Sequence, residues 1–168
     1  EKFFRSIFPK TYENRLILIF EKSSSRIGHW FQGRLLLSLL IGLFSWLGFY
    51  LFGVKYSGTL ALLAAVLDII PIIGPIFAGL IVFLVTLTDS WLLGIWVVLF
   101  FIILQQLEGI LLAPLIMGKT TGLPPLVVFI ALLIGAKIAG LIGFILAIPL
   151  AIIVQEIFEE SVRRKTQV

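Results

Sequence analysis

Residues 58–88 are apolar almost throughout, yet their middle reads Val66-Leu67-Asp68-Ile69-Ile70-Pro71-Ile72-Ile73-Gly74-Pro75-Ile76. A carboxylate and two prolines interrupt a run that otherwise looks made for hydrocarbon. Each proline removes a backbone donor and clashes with the preceding turn. Backbone groups freed in a bilayer must be satisfied by protein or by water in a cavity. The break is therefore expected to be packed inside the protein or to line a polar path, which makes Asp68, Pro71, Gly74 and Pro75 candidate site residues.

Composition makes hydrocarbon the right solvent to assume. Of the 168 residues 60% are hydrophobic and 13% charged, against about half and a quarter in soluble domains. Mean hydropathy is +1.16. So much apolar surface does not fit in an ordinary core, and the expected class is an all-α integral membrane protein. There is no cysteine, hence no disulfide framework or thiolate metal site, and nothing calls for a cofactor. The net charge of +4 does not point to nucleic acid, because the basic residues gather at the ends, as membrane anchors do. The chain starts at Glu1 without a signal-peptide pattern. It is expected to be part of a longer protein, its C-terminal portion.

Residues 1–34 mix Lys2, Arg5, Lys10, Arg15, Lys22, Arg26 and Arg34 with apolar side chains. They are expected to form short amphipathic juxtamembrane helices, punctuated at residues 6–9 and 23–25. His29 reads as an interfacial or solvated side chain. A transmembrane domain then covers residues 35–158. Its expected full spans are 35–53 and 90–113, the second stopped by Pro114. The Pro71–Pro75 break divides 58–88 into pieces of about 20 Å, short of a hydrocarbon core of about 30 Å. A re-entrant hairpin is expected there, because Pro-x-x-Gly-Pro is turn chemistry, with a kinked span as the alternative. Residues 126–158 carry small residues at a four-residue spacing, Gly135, Ala139, Gly143 and Ala147, which let helix backbones approach closely in lipid. A bend near 137–140 would make a second broken hairpin, with one long tilted helix as the alternative. Residues 159–168 form a basic tail, so both ends of the chain are expected in the cytoplasm.

Between positions 56 and 155 the charged residues are Asp68, Asp89, Glu108, Lys119 and Lys137. Asp89 reads as a loop residue, and Lys119 with Thr120 as part of the polar loop 114–125. Asp68, Glu108 and Lys137 remain at membrane depth, where each costs about 2.5–3.5 kcal/mol if left unpaired. They must be paired, protonated or wet. One reading is a polar transport site that includes Gln105, three residues before Glu108 and on the same helix face. The other is a structural pair, such as Glu108 with Lys137, that clamps helices together. With a single His and no Cys, and no His-Glu-x-x-His, Gly-x-Ser-x-Gly or phosphate loop, an enzyme is not expected.

The segments Asp68-Ile-Ile-Pro71-Ile-Ile-Gly74-Pro75, Gln105-Gln106-x-Glu108 running to Pro114 and Gly118-Lys119, Leu123-Pro124-Pro125, and Gly135 to Gly143 followed by Ala147-Ile-Pro149 together resemble the autoinducer-2 exporter family of bacterial permeases, the PerM-type permeases. The resemblance covers nearly all of residues 10–160. It implies a multi-pass protein of the bacterial inner membrane, about twice this length, whose first helices precede the part seen here. It also implies a homo-oligomer, best taken as a pentamer. The function it implies is export of a small polar molecule such as the quorum-sensing signal autoinducer-2. The alternatives are sodium/proton antiport and a non-transporting oligomeric scaffold whose Gly/Ala ridge is the subunit interface.

Overall fold

Helix α1 runs unbroken from Lys10 to Leu51, 42 residues or roughly 63 Å. In the computed structural model the backbone of residues 10–117 and 123–166 is described, and every regular element among them is helical. Separate amphipathic helices before a span at 35 were expected; residues 1–9 lie outside the described part, and from Lys10 onward there is one helix instead. The serines at 23–25 do not punctuate it, because serine costs only a few tenths of a kcal/mol inside a helix and no proline falls between 10 and 51. What ends α1 is Gly53 at φ +73°. Its N–H bonds Tyr50 O at 3.0 Å and the Val54 N–H bonds Phe49 O at 2.9 Å. This paired closure needs the left-handed residue that glycine supplies without strain, and Val54 and Phe49 share the adjoining core.

Two compact units divide the chain. One comprises Phe31–Lys119. In it α2 (Ser57–Asp68) packs on α3 (Ile73–Leu87) and α3 on α4 (Trp91–Leu107), and the remainder of α1 joins their core through Ile41 and Phe49. Ile41, Phe49, Ala61, Ala64, Ala78, Val82, Val97 and Phe101 form its core. The small side chains of α2 and α3 on that inner face let the helices approach closely. Pro71 lies in the four-residue turn between α2 and α3, while Gly74 and Pro75 lie in the first turn of α3. There proline's missing donor is not needed. A Cβ on Gly74 would sit 1.8 Å from Leu67 O, so the turn closes this tightly only with glycine. Asp89 is exposed in the following turn.

The expected stop at Pro114 does not occur. After α4 the chain continues through a π-helical turn, Glu108–Leu112, into α5 (Ala113–Met117). In the wider turn the Ala113 N–H reaches back to Glu108 O, five residues instead of four. That shift lets Pro114 follow without the donor and without the clash it would bring to a regular helix.

The other unit comprises Glu1–Trp30 and Thr120–Val168. Its main element, α6 (Pro125–Thr166), is broken where Ala139 (φ −134°) and Gly140 (φ +58°) leave helical geometry. The arms 125–138 and 141–166 fold back on each other. A Cβ on Gly135 would lie 2.3 Å from Gly143 O, and one on Gly143 would lie 2.0 Å from Gly135 O. The small-residue ridge is thus used inside one chain. Near its end the second arm meets the first part of α1 through charge: Arg26 Nη1 is 3.1 Å from Glu156 Oε2, Arg26 Nη2 donates to Glu159 Oε2 at 3.2 Å, and Lys22 Nζ is 3.6 Å from Glu156 Oε1. Glu156 is 2% exposed. Leaving a buried polar group without its partner costs about 1–3 kcal/mol, and more when the group is charged. Arg26→Ala is therefore expected to lower the thermal midpoint, and to do so much less in a Glu156→Gln background.

Ile17–Leu51, Trp91–Met117 and Leu126–Glu160 are long and apolar enough to cross a membrane, the third interrupted by its break. Leu39, Leu43, Ile103, Ile110, Ile138 and Leu141 point outward. An outer surface this apolar is suited to lipid, and the protein is an all-α membrane protein.

Candidate functional site

Arg34, the pair Leu37 and Ser38, Ile41, Ser45 and Phe49 recur about one turn apart along α1 and are buried throughout. This register points Arg34 into the Phe31–Lys119 unit. Arg34 is 7% exposed, Asp68 0% and Glu108 6%, and the three meet. Arg34 Nη1 donates to Glu108 Oε1 at 2.6 Å. Arg34 Nη2 is 3.1 Å from Asp68 Oδ2. Arg34 Nε donates at 2.8 Å to the Asp68 backbone carbonyl, to which Nη2 also donates.

Each member is delivered by a local feature. Asp68 is the last residue of α2, so its carbonyl has no partner further along the helix. The Arg34 fork supplies one, and puts positive charge where the helix dipole is negative. Glu108 opens the π turn, and a π turn inserted in an α-helix is a frequent mark of a functional position. Planar guanidinium, with five donors, is the group able to hold a carbonyl and two carboxylates at once.

Polar capacity remains unused in the cluster. Gln105 approaches the Asp68 carboxyl, but its buried Nε2 and both Asp68 carboxylate oxygens lack an aligned hydrogen bond. Two carboxylates share one guanidinium, leaving one acid in excess. Such a site can take up a proton, a cation, or a solute that brings its own donors and acceptors.

Of the residues singled out in the sequence, Asp68, Gln105 and Glu108 come together, with Pro71, Gly74 and Pro75 shaping the turn that begins at Asp68. Glu108 finds Arg34 rather than Lys137 as its ion-pair partner. Lys137 is exposed on the first arm of α6, in the other unit. Gly135, Ala139, Gly143 and Ala147 belong to that unit's helix contact. Lys119 and Thr120 lie outside the described residues. Arg34, at the end of the basic segment 1–34 that the sequence places at the membrane surface, is the site residue that sequence reasoning misses. The signal that marks it is its register with Leu37, Ile41 and Phe49 on one helix face.

A family model described as AI-2E family transporter matches residues 1–163. "Putative transport protein YueF" of Bacillus subtilis is 32% identical over 157 residues, covering 94% of this chain and 42% of that protein. "Putative transport protein YrrI" of the same species is 31% identical over 159 residues, covering 95% and 45%. The "AI-2 transport protein TqsA" of Escherichia coli is 28% identical over 142 residues, covering 84% and 42%. The chain therefore spans less than half the length of these relatives. No solved structure matches it.

Proposed function

The chain belongs to the AI-2E transporter family, and we propose that it forms the polar path of a bacterial inner-membrane permease that exports a small polar molecule such as autoinducer-2. The observation that carries this reading is the Arg34–Asp68–Glu108 cluster, buried in a protein whose outer surface is apolar. A buried ion triad stabilises a fold less well than apolar side chains of the same volume, so stability alone does not account for it. A transport site does. A polar solute entering beside Gln105 would donate to Asp68 and accept from the Gln105 amide, using capacity the fold leaves open.

The helix break that follows Asp68 supports this reading. In transporters, substrate sites lie where discontinuous helices meet near the bilayer midplane. On this reading the α2–α3 turn enters the membrane from outside and the bent α6 from the cytoplasm. Both ends of the chain then lie in the cytoplasm, and subunits assemble around the paths as a homo-oligomer. The relative named for AI-2 transport supports the substrate.

The surplus carboxylate favours one second reading, a sodium/proton antiporter in which Asp68 or Glu108 exchanges a proton for the metal ion. A non-transporting scaffold would keep the Arg34 cluster as its clamp, while Gly135 and Gly143 are spent on each other within one chain.

The test is flux in membrane vesicles carrying the full-length transporter. Asp68→Asn and Glu108→Gln are each expected to slow export by about tenfold or more, the loss of one charged hydrogen bond. Native flux in both variants would remove the site. Sodium-dependent proton signals without solute movement would select the antiporter.

A further inference from the structure

The turn that follows Asp68 holds a conformation its sequence does not favour. Ile72 has φ +69° and ψ −61°, and the Ile73 N–H closes on Pro71 O at 2.8 Å. This is a γ-turn of the positive-φ kind, rare and strained for any residue with a side chain. For a β-branched residue it is a true outlier. The isoleucine side chain is 46% exposed, so its own packing does not force the geometry. Strain of this sort persists only where the surroundings over-determine it, and three restraints do so. Pro71 has a fixed φ. Gly74 abuts the Leu67 carbonyl, while the Gly74 N–H holds Ile70 O at 3.0 Å. On the near side, the Arg34 fork grips the Asp68 backbone carbonyl through two of its nitrogens.

The last restraint differs from the others. Proline and glycine are covalent facts, whereas the grip of Arg34 depends on where its other donors are engaged. We infer that the residues 69–72 form a spring-loaded hinge latched by Arg34: when the guanidinium shifts toward an arriving solute or follows Glu108, Asp68 O is released, the Ile72 turn relaxes, and α3 moves relative to α2. This rests on the proposed transport site and adds which part of it moves. Strain stored in the latched state lowers the cost of leaving it, so relieving the strain slows the cycle.

Ile72→Gly removes the strain, since glycine takes positive φ freely. Ile72→Val keeps both the branching and the strain. In the full-length transporter, Ile72→Gly is expected to raise the thermal midpoint and slow export about fivefold, the rate equivalent of relieving strain near the lower end of the usual range. Ile72→Val matches the native protein. Hydrogen exchange gives a reading independent of flux: in Arg34→Lys the Ile73 and Gly74 amides exchange faster than in the native protein, and adding Ile72→Gly slows them again. Native flux in Ile72→Gly overturns the hinge while leaving the site intact if Asp68→Asn is still slow. Unchanged exchange in Arg34→Lys overturns the latch whatever the flux. If Asp68→Asn and Glu108→Gln transport normally but the exchange changes appear, the site reading fails and the latched turn stands.

Discussion

Arg34→Met is expected to destabilise the protein by about 3–5 kcal/mol, the usual cost of removing one partner from a buried ion cluster. Three things lose their partner at once. Glu108 loses the 2.6 Å bond to Nη1, Asp68 loses the contact with Nη2, and the end carbonyl of α2 loses both its donors. Neither carboxylate can turn to water, since Asp68 is 0% and Glu108 6% exposed. Arg34→Lys keeps the charge but not the fork, and an ammonium cannot serve a carbonyl and two carboxylates in that planar arrangement. It should recover only part of the loss. The informative variant is the triple Arg34→Met, Asp68→Leu, Glu108→Met, which removes every charge together. It should melt well above Arg34→Met, because no buried charge is left unpaired, and should not transport. Thermal unfolding in detergent, followed by tryptophan fluorescence, measures all three. A triple variant no more stable than the single one would mean that the three side chains do not compensate one another.

That cluster shows what the sequence made legible and what it hid. Asp68 and Glu108 stand out because charge in an apolar run has a large free-energy cost, and one residue at a time is enough to see it. Arg34 does not stand out. It sits at the edge of a basic segment, where the same residue type is ordinarily an anchor, and only its register on a long helix places it inside. The register is visible once α1 is known to be continuous, and the serines at 23–25 obscure that continuity. The positions of both helix breaks were legible for a different reason. Pro71, Gly74 and Pro75 in one case, and Gly140 in the other, are residues whose backbone preferences act locally. The π turn at Glu108–Leu112 was not legible. It settles a competition between two hydrogen-bond registers around Pro114 that differ by little, and a proline alone reads as a stop.

Gly143→Ala is expected to be among the most damaging single-methyl additions in the chain. A Cβ there would lie 2.0 Å from Gly135 O and 3.0 Å from the Ala139 Cβ. From the facing side, a Cβ on Gly135 would meet Gly143 O at 2.3 Å and the Ala147 Cβ at 3.1 Å. The obstructing atoms are backbone, so no rotamer change makes room, and the arms of α6 must move apart along their contact. Separation forfeits the close backbone approach that small residues provide in a membrane helix pair. The cost expected for a core forced open by one methyl is about 1–3 kcal/mol, and Gly143→Leu should prevent the hairpin from closing at all. Gly28 gives the control. It is also helical, its φ is ordinary, and a Cβ there would meet nothing within 4 Å. Gly28→Ala should therefore stabilise α1 by about 0.5–1 kcal/mol through the lost freedom of the unfolded chain. The same chemical change is thus expected to act with opposite sign at two positions, and the two thermal midpoints decide it. A Gly143→Ala protein that melts at or above the native temperature would mean that the arms of α6 do not touch at this ridge.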